Sequence, residues 1–350
     1  MPPCGTKVTD PVRDVFLRCL IFVTITLHSG ALCELFAQDT TSTKVKPLAG
    51  EGIYALLVRN GLDPRKDLPA FMELNSGKFG KDNSLLSHHA YELPPVVMKP
   101  TTVIEPLFGE ALQEFPLTTN TLSGSLFYLI SGHGGPDPGA SGIYGTDRLD
   151  EDEYAYDITL RLGRSLLSKG ARVIFIIQDP DDGICDDKFL KYDNDETCMG
   201  DAIPLKQNDR LKQRVDKVNQ LYQQNKHIAH QRSVSIHLDS RSEKKQIDVF
   251  FYHHQTSPRG LSLAQTLRQT MEDKYHLFQP GRGFSGTVTT RNLYEVKYTH
   301  PVAVFIELGN IQNYRDQQRF ILSTNRQALA DWLAEGLEKD FVNQTNMGGK

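Results

Sequence analysis

No apolar run inside the 350-residue chain approaches the roughly 18–20 residues that cross a bilayer, so its body holds no expected transmembrane helix. A net positive charge is missing as well. The 39 Lys and Arg stand against 43 Asp and Glu, a formal net charge of −4, which excludes the global basic field of a nucleic-acid binder. The sequence has no HExxH, which excludes a zinc site carried on a single helix. Its glycine-rich segment "SGHGGPDPG" lacks the Gly-Lys-Ser/Thr ending of a phosphate loop. With 39% hydrophobic and 23% charged residues, what remains is ordinary globular composition, long enough for about two domains.

The first forty residues differ from the rest. Arg13 and Arg18 precede "CLIFVTITL", and the small residues of "HSGAL" follow, the order of a secretory signal. Residues 1–37 are therefore read as a signal segment and the mature chain as exported, periplasmic or extracellular. Cleavage after Ala31 and cleavage after Ala37 both fit, and an uncleaved anchor is a further alternative. Cys33 invites a lipoprotein reading, against which Leu32 stands where a small residue is wanted. Of five cysteines, Cys4, Cys19 and Cys33 belong to this segment or its edge, leaving Cys185 and Cys198. A pair this close in an exported chain points to a disulfide clip rather than a metal site, with two thiols as the other alternative.

Residues 38–48, rich in Thr and Lys, read as a linker, and 49–98 as a compact unit. Gly50-Glu51-Gly52 opens a helical pattern with Ile53, Leu56 and Leu57 on one face, a second short helix is expected over 67–74, and "YELP" closes the unit as a strand. This helix–helix–strand order resembles a LysM peptidoglycan-binding module, with Leu74-Asn75 and Leu93-Pro94 at that family's landmarks. A small structural domain without a ligand is the alternative. The tandem His88-His89 reads as solvated surface, and the Pro/Thr-rich stretch 99–120 as a second linker.

From 121 to 345 strand-like runs alternate with helical patterns. Strands are expected at 125–130, 172–178, 233–238, 247–253 and 302–308, and helices near 152–168, 207–224, 260–275 and 316–339. In the first helix Ile158, Leu162 and Leu166 repeat at i, i+4, i+8, one buried stripe. Alternation of this kind predicts an α/β fold with a mostly parallel sheet flanked by helices. The Asp-rich segment 180–206 breaks the rhythm and reads as an insertion or long loop.

Three polar residues occupy anomalous places. His133 follows the strand 125–130, His237 interrupts "SVSIHL", and Glu307 interrupts "VAVFIEL". An ionised carboxylate buried in a strand is costly unless paired or metal-linked, and the carboxyl ends of parallel strands form the crevice where α/β folds bind ligands. The helix that follows opens with "LDEDEYAYD", so a glutamate of its first turn can reach back to His133. Acidic residues also suit that turn through the helix dipole alone. Two histidines and a glutamate are a common catalytic zinc set, with a further carboxylate free to move protons.

The blocks "SGHGGPDPGASG", "GARVIFIIQD", "LKQRVDKVNQLY", "SVSIHLDS", "VAVFIELGNIQN" and "NRQALADWLAEGL" resemble, in order, the zinc-dependent N-acetylmuramoyl-L-alanine amidases. Those enzymes cut the amide between the lactyl group of N-acetylmuramic acid and the L-alanine of the stem peptide in peptidoglycan. The resemblance implies Zn²⁺ as cofactor, His133 and His237 as ligands, and Glu307 as catalytic carboxylate. Counting back from Gly170 places the third ligand at Glu151, with Glu153 as competitor. It implies peptidoglycan as partner, no nucleic acid, and leaves any activator protein unknown. Gly134-Gly135 are expected to turn the backbone without crowding the metal. Departures from the family's pattern, at Asn310, in "DSRSEKKQ" after His237 and in the 180–206 insertion, bear on fine substrate preference. Two alternatives differ in class: a zinc peptidase or amidohydrolase on a related scaffold, and a non-catalytic wall-binding protein that keeps the fold.

Overall fold

The computed structural model describes residues 44–94, 101–240 and 245–348, so the expected signal segment 1–37 with Cys4, Cys19 and Cys33 lies outside the described residues. The chain divides near residue 100 into two compact units. In the smaller, helices Ile53–Arg59 and Pro64–Leu74 enclose a core of Leu56, Leu57, Leu62, Phe71 and Tyr91. The second helix starts before the expected residue 67, because the Asp63 side chain accepts from Arg65 N–H and Pro64 takes the first helical position, where its missing N–H costs nothing. Strand Tyr91–Glu92 pairs antiparallel with Lys44–Val45, so the expected 38–48 linker contributes a strand to the unit. The buried Asn75 amide ties helix to strand: Nδ2 donates to Phe71 O and Glu92 O (2.9 and 2.7 Å), and Oδ1 accepts Glu92 N–H (2.8 Å).

The larger unit is built on a six-stranded sheet: β1 (Ser125–Ser131), β2 (Arg172–Phe175), β3 (His230–Asp239), β4 (Phe250–His253), β5 (Thr287–Thr290) and β6 (Val302–Asn310), in the order β5-β4-β6-β3-β1-β2. β2, β1, β3 and β6 run parallel, and β4 pairs antiparallel with β6. Five helices matter here: α1 (Glu151–Leu167), α2 (Gln207–Gln224), α3 (Pro258–Phe278), α4 (Tyr314–Ile321) and α5 (Ser323–Gly348). Successive β1 side chains point to opposite faces. Phe127 and Leu129 join Ile158 and Leu162 of α1, Leu263 and Leu267 of α3 and Leu329 and Leu333 of α5 in the main core. Leu126, Tyr128 and Ile130 meet Val218 of α2 on the other face. This is the expected α/β layering. The expected single helix 316–339 is two, because Leu322 between them takes an extended conformation.

From 101 onward the expected linker 99–120 is folded. Thr102–Ile104 pairs with Glu114–Pro116, and Phe108 and Phe115 are buried in the main core, Phe108 edge-on to Phe175 at 5.8 Å. Two phenylalanines outweigh the loop-like Pro and Thr around them. The insertion 180–206 carries two short strands, Thr197–Cys198 and Asp201–Ala202, that form a small sheet with Ile177–Gln178. No disulfide joins Cys185 to Cys198. The two belong to different surroundings: Cys198 packs with Ile177 and Tyr128, whereas the Cys185 carbonyl accepts from Arg161 and Arg326 (2.6 Å each). Those two guanidiniums converge on Asp157 (2.7 and 2.5 Å), and all three side chains are buried. Asp157→Ala would leave two buried cations without their carboxylate. The expected loss is about 3–5 kcal/mol, a fall in melting temperature of roughly 6–20 °C by calorimetry, whereas Arg172→Ala at an exposed position should change stability by no more than about 0.5 kcal/mol.

Candidate functional site

β1 ends at Ser131 and the chain turns at once, held by Gly132 N–H donating to Ile236 O of β3 (2.7 Å). His133 takes φ +63°, a left-handed conformation that is uncommon for a residue with a side chain and clusters at ligand clamps. The buried Arg214 of α2 donates to the His133 carbonyl and fixes it there. Gly134 and Gly135 also take positive φ and serve the turn, but the room around the site comes from two other glycines. A Cβ on Gly132 would lie 2.4 Å from the His237 ring, and one on Gly139 2.6 Å from the His133 ring and 2.8 Å from Glu151 Oε2.

Glu151 is the first residue of α1, and its buried carboxylate lies between the two imidazoles. Oε1 is 3.2 Å from His133 Nε2 and 3.0 Å from His237 Nδ1 and accepts Leu238 N–H (3.0 Å), while Oε2 accepts Ala140 N–H (2.9 Å). The three residues offer ligand atoms that all lie within 4.8 Å of one another. Behind them, Asp137 Oδ2 faces His133 Nδ1 at 3.0 Å and takes Arg210 of α2 at 2.6 Å. A carboxylate behind an imidazole fixes the ring and turns its other nitrogen to the centre. The His237 ring stacks on Phe305 of β6, centroids 4.2 Å apart. Glu307 is the direct neighbour of His237 across the parallel β3–β6 ladder. His133, Glu151, His237, Glu307, Arg291 and Tyr294 line one cleft of about 330 Å³.

The charges are strongly coupled. Burial favours a neutral His133, but Asp137 and Glu151 outweigh it and hold the pKa up at about 10. Burial would raise Glu151, yet the two histidines keep it well below the usual carboxylate range. Glu307 is pushed up to about 8, by burial first and then by the charges of Glu151 and Asp239. The buried carboxylates here therefore favour positive charge beside them, from imidazolium protons or from a cation in their place. The donor set, two imidazoles and a carboxylate, suits zinc. Two buried atoms at the same place, His237 Nε2 and Glu307 Oε2, have no hydrogen-bond partner among the described residues, so the residues present fit a metal.

All four residues singled out in the sequence thus meet at one sheet edge. Glu153 does not join them: its Oε1 accepts Asp193 N–H (3.2 Å) from the insertion. Sequence reasoning passed over Asp137, four residues after His133, and Arg210 and Arg214, the last of them inside the block "LKQRVDKVNQLY". The family described as N-acetylmuramoyl-L-alanine amidase (Amidase_3) matches residues 128–339, more than half of the chain. The chain belongs to that family. Among curated proteins, the probable cell wall amidase LytH of Staphylococcus epidermidis is 25% identical over 225 residues, which are 64% of this chain and 61% of the relative. The chain thus spans about three fifths of the length of the curated relatives it matches. Among solved structures, the CwlD amidase of Clostridioides difficile, in complex with the GerS lipoprotein, is 21% identical with a TM-score of 0.47, covering 62% of this chain and 98% of that one. The catalytic domain of CwlV from Bacillus (Paenibacillus) polymyxa is 20% identical with a TM-score of 0.43, covering 61% and 97%.

Gly132→Ala tests whether the cleared space matters to the family's site in this chain. The added methyl should displace the His237 ring and weaken metal retention by about 10–100-fold. Metal analysis after dialysis, with circular dichroism to confirm folding, checks this; an unchanged metal content would show that the ring has room to spare.

Proposed function

We propose that this chain is an exported, zinc-dependent peptidoglycan hydrolase that cleaves the amide between N-acetylmuramic acid and the L-alanine of the stem peptide. The observation that carries the reading is the meeting of His133, Glu151 and His237 at one sheet edge with Glu307 beside them on the next strand. Membership of the amidase family and the cell-wall role named for LytH support the substrate class. His133, Glu151 and His237 would hold Zn²⁺. Zinc bound there lowers the pKa of water towards neutrality and polarises a carbonyl oxygen. Asp137, itself held by Arg210, keeps His133 Nε2 directed at the centre. Glu307 takes a proton from the attacking water and gives it to the departing amine of L-alanine.

The rest of the chain serves delivery in this proposal. The 1–37 segment exports it to the periplasm or cell surface, and no helix among the described residues is long and apolar enough to cross a membrane. The 49–98 unit acts as a LysM-like wall-binding module ahead of the 121–345 catalytic domain, and the buried Asn75 would keep its closing strand in place.

Incubating the full-length chain with purified muropeptides should release stem peptides with a free L-alanine amino group, detected by mass spectrometry. Glu307→Gln should lower turnover by about 10²–10⁴-fold with zinc content unchanged. Near-normal turnover in that variant would sink the role given to Glu307. Cleavage inside the stem peptide instead would make the protein a peptidase, and a zinc-free chain that binds the wall without cutting it would make it a binding protein.

A further inference from the structure

A second polar cluster lies beside the first and has no part in the chemistry above. Asp152 and Glu153 occupy the first turn of α1, and Glu196 comes from the insertion. The three are 1%, 7% and 6% exposed, and their carboxylate oxygens lie within 4.8 Å of one another. Backbone amides satisfy part of them: Asp152 Oδ1 accepts Glu153 N–H (3.0 Å), Glu153 Oε1 accepts Asp193 N–H (3.2 Å) and Glu196 Oε2 accepts Gly135 N–H (2.7 Å). Asp152 Oδ2 is buried and has no hydrogen-bond partner among the described residues. None of the three forms an ion pair with a described lysine or arginine. The helix start supplies only about half a positive charge, far short of three carboxylates. Buried ionised carboxylates are otherwise paired or coordinate a metal.

We propose that Asp152, Glu153 and Glu196 bind a calcium ion that ties the 180–206 insertion to the amino end of α1 and to the loop carrying His133. The donors are all oxygen, with no imidazole or thiolate among them, which points to a hard cation and away from zinc. Three carboxylates supplied by the chain itself suit calcium, whose flexible shell takes about six to eight oxygens, whereas magnesium usually keeps several waters and takes only one or two carboxylates. One ion there would bridge three pieces of chain. Glu196 already reaches Gly135, two residues after His133, and Glu153 already reaches Asp193. A neighbouring group, Asp179, Asp182 and Asp193, is partly exposed and carries no such unpartnered atom, so the site is assigned to the buried trio alone.

The test uses the full-length chain, freed of divalent ions on a chelating resin and reloaded with zinc, titrated with calcium chloride by calorimetry. One calcium per chain is expected, with a dissociation constant at or below about 1 mM. Calcium should also slow tryptic cleavage after the exposed Lys188 and Lys191 of the insertion. Glu196→Gln should weaken binding at least tenfold and abolish that protection while zinc content stays at one per chain. Absence of heat and of protection in the unmodified chain up to about 5 mM calcium overturns the proposal without recourse to any variant. Undiminished binding in both Glu196→Gln and Glu153→Gln, each checked for folding by circular dichroism, overturns it by placing the ion elsewhere. Since zinc content and amidase turnover are read separately, failure here is distinguishable from failure of the proposed function.

Discussion

The centre of this protein depends on a buried carboxylate, Glu151, with no lysine or arginine paired to it among the described residues. Such a group is tolerable only if fixed dipoles and cationic partners surround it. Here the backbone N–H groups of Leu238 and Ala140 point at its two oxygens, and two imidazoles supply the rest. These four partners come from three pieces of chain: the turn after β1, the end of β3, and the approach to α1. Satisfying one anion therefore fixes three connections at once.

The parallel sheet makes that convergence possible. β3 lies between β1 and β6, with Ile236 opposite Ser131 and His237 opposite Glu307, so the three carboxyl ends are level. The strand between them is held at both ends. At its start Arg232 pairs with Asp340 of α5 at 2.7 Å, a buried pair on the far side of the core, and at its finish His237 meets Glu151. A register slip of one residue would turn His237 to the opposite face of the sheet. The apolar packing of Val234 and Ile236 on the main core opposes such a slip along the length of the strand.

The sequence made this edge legible because His133, His237 and Glu307 each break or end an apolar run that otherwise reads as a buried strand. Choosing Glu151 over Glu153 was harder from pattern alone. The two residues share a helical turn yet point about 200° apart, so the choice depends on where the helix begins. Asp150, in extended conformation just before α1, settles that start in the fold. Asp137 and Arg210 were invisible for another reason. A charged residue in a loop or on a helix surface carries no periodicity that separates a partner from a solvated side chain. The hairpin at 101–120 was missed because composition was weighed above its two phenylalanines. The pairing of Cys185 with Cys198 failed because nearness in sequence says nothing about which part of the core each residue enters.

α1 is the element on which these demands accumulate. Within its first two turns it directs Glu151 at the histidines, Asp152 and Glu153 at the insertion, and Asp157 at Arg161 and Arg326. Rotating the helix by one residue, about 100°, would misplace all three sets together. Its apolar stripe of Ile158, Leu162 and Leu166 gives the rotation a coarse setting by packing on the core. The acidic contacts set it more finely, since a carboxylate loses most of a hydrogen bond over a displacement that an isoleucine can absorb. The insertion meets α1 through two of those acidic sets, by way of the Cys185 carbonyl and through Glu196. A segment that looked in the sequence like an interruption of the fold therefore helps determine where Glu151 stands.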